Sequence, residues 1–471
     1  MTDARQPNIL HIMVDQMRFD VLGINGSPIC RTPTLDHLAQ DGINYAEAYT
    51  PAGICSPARA SMVTGRYSHS HGIYNNCHQE DSILVELPAE EVTYSELLSE
   101  AGYRLGHVGK WHIGRENGPK TRGFHDVGAQ GIADYRRQLG LPLRPPTPPD
   151  AVYATYPNEE FLISGTEQLP EEGNLMYYFA EEGMRLLREY QGHQPFYLRV
   201  DFNGPHHPYV VPEPWASLYD PQAIPPWPNF HDTFENKPQV HRRHKFHRGV
   251  QDFTWEDWQP AVAKYFGYVS FLDSLFAKLL QTLDDLGLRD DTLIIFNTDH
   301  GDFTGSHGQF NKGPLLYQEV YHIPLIMRWS ACIPAGVTTT KFTSLIDIMP
   351  TILQAADLPV PDNLHGEALQ PLWQDPTLDA WRDMLGCEFH GDEVGLFTSR
   401  LIRYRQFKFV YNPHAIDELY DLERDPYELE NLCDDPAYQD IRHELLRRLM
   451  VWMVETQDPW WRWAEKWLPL S

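Results

Sequence analysis

The segment NILHIMVD at residues 8–15 decides the fold. Its apolar run from residue 9 to residue 14 is interrupted only by His11 and stops at Asp15, which is typical of a central strand buried on both faces. Such a strand delivers its terminal carboxylate to the carboxyl edge of an open α/β sheet, where these sheets bind ligands. The segment therefore predicts a parallel sheet with a candidate site at that edge.

Strand-like and helix-like segments alternate along most of the chain. Thr32 and Pro33 start a helix that ends near Gly42. Further strands are predicted at 103–108, 196–202, 292–297 and 323–329, and further helices at 92–101, 176–190, 262–286 and 344–356. This alternation predicts an α/β fold with a large, mostly parallel sheet between helices on both faces.

Two regions interrupt this alternation, and the last part of the chain follows another pattern. Residues 139–150 are proline-rich and 221–255 are irregular, which is typical of lids or binding loops. Short strands at 401–404 and 407–411 and a helix at 441–454 predict a smaller unit. We expect a main α/β domain at 1–380, with lid-like insertions near 119–190 and 213–256, and an α+β subdomain at 381–471.

Composition narrows the function classes. The 471 residues include 38 Lys and Arg against 65 Asp and Glu, a formal net charge of -27 that repels phosphate backbones, so no nucleic-acid partner is expected. No apolar run approaches the roughly 20 residues that span a bilayer, so no membrane association is expected. The six cysteines form no CxxC pair and the amino terminus lacks a signal-peptide pattern, which predicts a reduced, cytoplasmic protein.

The segment CSPAR at residues 55–59 places a cysteine at a helix start. With Pro57 in the first turn, Cys55 lies at the positive end of the helix dipole, which favours anions and lowers a thiol pKa. Taken alone, the pattern is equally consistent with a buried structural cysteine that precedes a capped helix.

Two strand ends carry a pair of metal-ligand candidates. Asp15 and Gln16 follow the first strand, and Asp299 and His300 follow the strand at 292–297. Carboxylate, carboxamide and imidazole together suit a divalent cation such as Ca²⁺ or Mn²⁺. A lone aspartate at such a position is often only a helix cap.

Cations and histidines follow other strands. Lys110 and His112 lie in GKWHIG at 109–114, His206 lies in PHHP at 205–208, and Lys312 follows Asp299 by 13 residues. Each has an ordinary explanation as a loop cation or a hydrogen-bonded histidine. Around one metal, they would stabilise a tetrahedral oxyanion and protonate a leaving group.

These motifs occur in the order in which type I sulfatases of the alkaline phosphatase superfamily have them. CSPAR with GRY, GKWHIG, PHHP, TDHGD with a downstream lysine, and ELYDLERDPYELENL resemble that family over about residues 8–433. The resemblance implies an alkaline phosphatase-like fold whose main domain is catalytic. It also implies cleavage of a small-molecule sulfate monoester to an alcohol and inorganic sulfate.

The resemblance implies that a formylglycine-generating enzyme oxidises Cys55 to formylglycine, the nucleophile. The residues that it assigns to the metal are Asp15, Gln16, Cys55, Asp299 and His300. Arg59 would orient the nucleophile, and Lys110 and Lys312 would bind sulfate oxygens. Lys312 and His206 would assist the leaving alcohol, and His112 would accept a proton from the second hydroxyl.

Two positions depart from the commonest pattern of the family. Gln16 and His300 stand where many members have Asp and Asn, as in choline sulfatases and phosphonate monoester hydrolases. This leaves Ca²⁺ as the expected ion and Mn²⁺ as the alternative.

Phosphonate monoester hydrolases lack a counterpart of the pair Lys110 and His112, so the presence of this pair favours sulfate esters as substrates. Phosphonate monoester or phosphodiester hydrolysis is one alternative, and a non-catalytic anion or metal binder is another.

Three further features leave alternatives open. Asn76 is a substrate donor or a turn residue. The basic stretch 241–248, HRRHKFHR, is expected to be a solvated loop, with an anion-attracting rim as the alternative. The tail with Trp460, Trp461, Trp463 and Trp467 docks on its own core or forms a homo-oligomer contact.

Overall fold

The computed structural model describes residues 6–156, 159–192, 194–391 and 395–467. Within these ranges no helix combines the length and the apolar character needed to cross a bilayer.

The strands are β1 (Asn8–Asp15), β2 (Ile43–Tyr45), β3 (Ala48–Tyr49), β4 (Arg104–Gly109), β5 (His125–Val127), β6 (Val152–Tyr156), β7 (Glu159–Glu167), β8 (Phe196–Pro205), β9 (Tyr209–Pro212), β10 (Thr292–Thr298), β11 (Leu325–Arg328), β12 (Val337–Thr339), β13 (Thr343–Ser344), β14 (Met384–Phe389), β15 (Ser399–Tyr404), β16 (Phe407–Tyr411) and β17 (Glu418–Asp421).

The helices are α1 (Pro33–Gln40), α2 (Cys55–Thr64), α3 (Ser68–His71), α4 (Tyr94–Glu100), α5 (Ile132–Gln138), α6 (Leu175–Tyr190), α7 (Val240–His247), α8 (Trp255–Asp285), α9 (Gln318–Tyr321), α10 (Ile348–Ala355), α11 (Gln370–Gln374), α12 (Gln439–Glu455) and α13 (Trp461–Trp467).

The main sheet has eight strands in the order β12-β2-β11-β10-β1-β8-β4-β5. β1 pairs in parallel with β10 on one side and with β8 on the other, and β8 continues in parallel to β4 and β5. β11 runs antiparallel to both of its neighbours. The prediction of a large, mostly parallel sheet is therefore confirmed.

Helices cover both faces of this sheet, as the alternation predicts. Leu10, Ile12 and Val14 of β1 belong to a core cluster shared with α1, α6 and α8, whereas Ile9 and Met13 belong to a second cluster shared with α2, α4 and α10. The central strand is therefore apolar at successive positions because both of its faces are buried.

The parallel pairing brings the carboxyl ends of β1, β8, β4 and β10 to one edge of the sheet. Asp15 ends β1, Lys110 follows β4, and Asp299 follows β10. Asp201, inside β8, pairs with Gly109 of β4 and with Met13 of β1. Three carboxylates and a lysine consequently meet at the edge where open α/β sheets bind ligands.

The middle of the chain is more regular than the sequence indicates. β6, β7 and β9 form a separate three-stranded sheet, which the prediction missed.

The expectation of a solvated loop at 241–248 was wrong, because α7 covers most of this stretch and buries two of its histidines. His241 contacts the Tyr317 hydroxyl and His244 contacts Gln309. Both histidines therefore serve packing against the loop after β10.

The carboxyl-terminal part forms the predicted smaller α+β unit. β14 to β17 make an antiparallel sheet in sequence order, and α12 packs on it. Trp460 and Trp461 pack against the core of this unit, whereas Trp463 is 60% exposed. The side chain of Trp467 lies outside the described part. Two of the four tryptophans thus dock on their own core.

Gly109 provides a test of how closely β4 and β8 approach. Its φ is +101°, and an added Cβ would lie 1.9 Å from the backbone oxygen of Asp201. We expect Gly109→Ala to lower the free energy of unfolding by about 3 kcal/mol or more, because backbone must move as well as adopt a strained φ.

Gly102→Ala is the matched control, since its φ is +86° and an added Cβ meets nothing within 4 Å. The control should cost only about 1–2 kcal/mol in urea unfolding, the penalty of the left-handed conformation alone. Equal losses for the two variants would show that the contact with Asp201 adds nothing.

Candidate active site

Cys55 is the first residue of α2, and the local sequence places it there. Ile54 is extended, Pro57 occupies the first turn, and Gly65 ends the helix with a left-handed conformation. The side-chain oxygen of Asn76 accepts the backbone N–H of Ser56 at 3.0 Å. Asn76 therefore fixes the helix start beside Cys55, and this contact holds its carboxamide at the site.

Four buried side chains converge next to this helix start. Ligand atoms of Asp15, Cys55, Asp299 and His300 all lie within 4.8 Å of one another. The sulfur of Cys55 is 3.2 Å from His300 Nε2 and 3.8 Å from Asp15 Oδ1. His300 Nε2 is 3.8 Å from one oxygen of each aspartate. Residues from two strand ends and one helix thus share a single centre.

Contacts behind these residues orient their free atoms. His300 Nδ1 donates to the Gly301 carbonyl at 2.8 Å, which leaves the Nε2 lone pair directed at the centre. Gln16 donates its amide to Asp302 at 2.6 Å and accepts from Lys312 Nζ at 2.8 Å. Gln16 adopts a positive φ of 69°, so the chain turns sharply where β1 ends.

Arg59, one turn along α2 from Cys55, contacts three buried carboxylates. Its Nε donates to Asp299 at 2.7 Å, and its two terminal nitrogens donate to Asp201 at 3.2 Å and to Asp15 at 3.3 Å. All four side chains are fully buried. The guanidinium fork thereby holds the ends of β1, β8 and β10 in one arrangement.

Two lysines bring positive charge close to Cys55. Lys110 Nζ donates to Asp15, and Lys312 lies on the side of Gln16. Burial disfavours the Cys55 thiolate, but the charges of Lys110, Lys312 and His300 favour it more strongly, so the pKa of this thiol lies well below its ordinary value. The position is therefore built for a negatively charged or strongly polar group.

His112 lies near Cys55 on the side of β4. Burial and the charge of Lys110 lower the pKa of His112 to about 4, so its imidazole is neutral near pH 7 and able to accept a proton. Ser56 donates to the His112 carbonyl at 2.5 Å, and the His78 ring stacks on the His112 ring at 4.6 Å. These two contacts fix the loop that carries the imidazole.

Lys312 and His206 form a hydrogen-bonded pair next to the centre. Lys312 Nζ donates to His206 Nε2 at 3.0 Å, and His206 Nδ1 donates to the His207 carbonyl at 2.6 Å. His206 thus has one nitrogen that holds a proton and one that accepts from the lysine. An ammonium group connected to an imidazole in this way can supply a proton to a departing oxygen.

The structure brings every residue that the sequence pointed to into this site. Sequence reasoning missed Asp201, Asp302, Ser56 and His78. Asp201 had a detectable signal, because Arg199 and Asp201 interrupt an otherwise apolar strand, and charges in a buried strand need partners. His78 had none, since its stacking on His112 depends on how two loops meet.

The residues at the centre fit a divalent cation. The donor set is compact and carries net negative charge. It consists of two carboxylates, the His300 imidazole, whose other nitrogen is hydrogen-bonded, and the Cys55 sulfur, whose pKa is lowered.

A second buried group, formed by His69, Glu388 and Asp458, is less suitable for a metal ion. Both nitrogens of His69 are already bonded, to Glu388 and to the Thr456 carbonyl, and Asp458 pairs with Arg400.

A cleft of about 600 Å³ lies beside the centre. Lys110, His112 and His206 line it, together with residues of the insertion near 119–190. The polar side chains that the insertion contributes are Arg136, Glu167 and Asn174.

Comparison with protein families gives two matches. The family described as Sulfatase matches residues 7–358, about three quarters of the chain. The family described as N-sulphoglucosamine sulphohydrolase, C-terminal, matches residues 305–455, which include the smaller α+β unit.

Individual relatives match over nearly the whole chain. An arylsulfatase of Clostridium perfringens is 28% identical, covering 96% of this chain and 95% of its own. An N-acetylglucosamine-6-O-sulfatase of Bacteroides thetaiotaomicron is 22% identical, covering 97% and 88%. The crystal structure of the phosphonate monoester hydrolase of Agrobacterium radiobacter is 27% identical with a TM-score of 0.79, covering 96% of each chain.

The donor set makes a testable prediction about metal content. Asp15→Ala and Asp299→Ala should each lose bound metal and activity while the melting temperature stays close to that of the parent protein treated with a chelator. Elemental analysis of the purified proteins measures the metal directly. Asp362→Ala, at an exposed position, is the control and should retain metal. Full occupancy in both site variants would exclude this centre as the metal site.

Proposed function

Since this chain belongs to the sulfatase family of sulfuric ester hydrolases, we propose that it cleaves a sulfate monoester to an alcohol and inorganic sulfate through a formylglycine made from Cys55. Cys55 converges with Asp15, Asp299 and His300, and the charges of two lysines act on it, which supports this proposal most strongly. Attack on the sulfur of a sulfate ester passes through a five-coordinate transition state with negative charge on its oxygens, which such a concentration of positive charge stabilises.

The modification of Cys55 explains why a cysteine stands here. An aldehyde hydrate offers one hydroxyl that attacks sulfur and a second through which the sulfate is expelled, whereas an unmodified cysteine or serine has no second hydroxyl. The Cys55 sulfur occupies the position where those hydroxyls would lie. The proposal requires a formylglycine-generating enzyme during maturation, and the intact CSPAR segment supports that requirement.

Asp15, Gln16, Asp299 and His300 would hold the divalent ion together with the modified Cys55. When bound, the ion supplies positive charge to the nucleophile and to a sulfate oxygen. Ca²⁺ suits the two carboxylates and the carboxamide, and Mn²⁺ is the alternative because His300 is a softer ligand.

Sulfate binding, positioning of the metal ligands and proton acceptance would fall to other residues around Cys55. Lys110 and Lys312 would bind the sulfate oxygens, as the action of both charges on Cys55 supports. Arg59, saturated by three carboxylates, would act by holding the metal ligands in place. His112, neutral near pH 7, would accept a proton from the second hydroxyl.

The leaving alcohol would take its proton from Lys312 Nζ. His206 Nε2 accepts from the same ammonium at 3.0 Å and so keeps Lys312 directed at the cleft. Proton donation matters most when the alcohol is a poor leaving group, because the developing alkoxide is then most basic.

A substrate screen tests the function directly. Relatives named as an arylsulfatase, an ulvan-active sulfatase and an N-acetylglucosamine-6-O-sulfatase differ in the alcohol, so the screen must cover several. We expect metal-loaded protein to hydrolyse at least one of an aryl, a choline, a sugar and an alkyl sulfate faster than a phosphonate monoester. Phosphonate or phosphodiester turnover that exceeds every sulfate by orders of magnitude would instead support the hydrolase activity of the structural relative.

Replacing Cys55 distinguishes the two-hydroxyl mechanism from a simple nucleophile. In Cys55→Ser a hydroxyl can still attack sulfur, but the sulfate ester that forms has no route for expulsion. We expect at most one turnover and a trapped covalent adduct, visible by intact-protein mass spectrometry.

Cys55→Ala is the matched control and should show neither adduct nor turnover. Sustained multiple turnover by Cys55→Ser, purified from a host without the parent gene, would contradict the formylglycine mechanism.

A further inference from the structure

A cavity of about 320 Å³ lies between loops of the main domain and the smaller α+β unit. Its wall comes from the segment after β1, the irregular stretch after β9, the start of α9 and the loops of the smaller unit. Phe19, Trp227 and Tyr427 make part of this wall aromatic. The cavity shares no lining residue with the cleft beside Cys55, so it is separate from the candidate active site.

Glu319, the second residue of α9, lines this cavity with a carboxylate that is only partly satisfied. Its Oε1 accepts from Asn229 Nδ2 at 2.6 Å. His307 Nε2 is 3.7 Å from Oε1 but accepts from Asn229 Nδ2, so it offers no proton to Glu319. Oε2 is buried and has no hydrogen-bond partner in the part of the chain that the structure describes. Since only 10% of the side chain is exposed, water does little to compensate.

Gln318, which precedes Glu319 in the same wall, adds a second buried acceptor. The Tyr49 hydroxyl donates its hydrogen to Glu47 at 3.1 Å, so it has none for Gln318. Gln318 accordingly donates from Nε2 to the Tyr49 oxygen at 3.0 Å, which fixes the orientation of the amide. Its Oε1 is buried and likewise lacks a partner within the described ranges. Two successive residues of the wall therefore each lack a hydrogen-bond donor.

The arginines in the wall are already engaged. Arg18 pairs with Asp20 at 2.6 Å, and its third nitrogen donates to backbone carbonyls. Arg403 donates from Nε to the Tyr49 hydroxyl at 2.9 Å and from its other nitrogens to Glu47 and to backbone carbonyls. Of the three carboxylates in the wall, Glu319 alone has no arginine or lysine partner among the described residues.

Buried acceptors without donors are costly unless a ligand supplies the donors. We propose that this cavity binds a small organic molecule with a primary ammonium group, whose N–H groups donate to Glu319 Oε2 and Gln318 Oε1. An ammonium group has three donors and a positive charge, so it serves both oxygens and neutralises Glu319. Phe19 and Trp227 would cover the carbon atoms of the ligand. The site does not depend on the proposed sulfatase function.

Other classes of ligand fit this wall less well. Among the described residues, Glu319 belongs to neither of the two groups of His, Cys, Asp and Glu that could hold a metal ion, so a metal would find too few ligands. An anion would meet the charge of Glu319, while the nitrogens of Arg18 and Arg403 are engaged elsewhere. A quaternary ammonium group has the charge but no N–H for the two acceptors.

The experiment titrates metal-loaded wild-type protein with three ligands of one shape, followed by isothermal titration calorimetry. Phenethylamine has both charge and donors at neutral pH, its trimethylated derivative has charge without donors, and phenethyl alcohol has a donor without charge. We expect one phenethylamine to bind per chain, and each of the other two ligands to bind at least about tenfold more weakly. This comparison does not depend on the stability of any variant.

A variant assigns the binding to this cavity. Glu319→Gln keeps the shape of the side chain but removes its charge, and should weaken phenethylamine binding by about tenfold or more. Glu100→Gln, at an exposed position on α4, is the matched control and should bind within about twofold of wild type.

Three results would overturn the inference: no binding of phenethylamine at millimolar concentration, equal affinity for the three ligands, or unchanged affinity in Glu319→Gln. None of these results bears on the hydrolysis of sulfate esters, so the proposed function is tested separately by the substrate screen.

Discussion

The contact between the Arg59 guanidinium and three buried aspartates is the interaction on which the site depends. Asp15, Asp201 and Asp299 come from β1, β8 and β10, which are adjacent in the sheet. Three carboxylates this close and this deeply buried would repel one another strongly without a shared cation. Because Arg59 lies on the same helix as Cys55, the contact that offsets this repulsion also fixes the position of Cys55 relative to the three aspartates.

The local balance of charge at this edge differs from that of the whole chain. The protein has a formal net charge of -27, yet Arg59, Lys110, Lys312 and Arg199 surround the aspartates at the centre. Focused in a cleft with low-dielectric walls, these cations act on a bound anion far more strongly than the distant acidic surface does. An acidic protein can therefore hold a sulfate group where the sheet ends.

Much of the fold and of the centre could be predicted from sequence, because the signals are local. The apolar run before Asp15 indicates a buried strand, and the parallel pairing of β1 with β10 then necessarily brings Asp15 near Asp299. Asp201 was missed although two charges interrupt its apolar strand, because its partner Arg59 is distant in sequence. Residues 241–248 were mispredicted because the strongly basic composition conceals two histidines that face the core.

Peptide mass spectrometry tests whether Cys55 becomes an aldehyde at the start of α2. Protein co-expressed with a formylglycine-generating enzyme should yield a Cys55 peptide in which oxygen replaces sulfur and two hydrogens are lost, and this peptide should react with a hydrazide probe. The fraction converted should rise in proportion to sulfatase activity across preparations. A fully active preparation in which Cys55 remains an unmodified thiol would contradict the formylglycine mechanism.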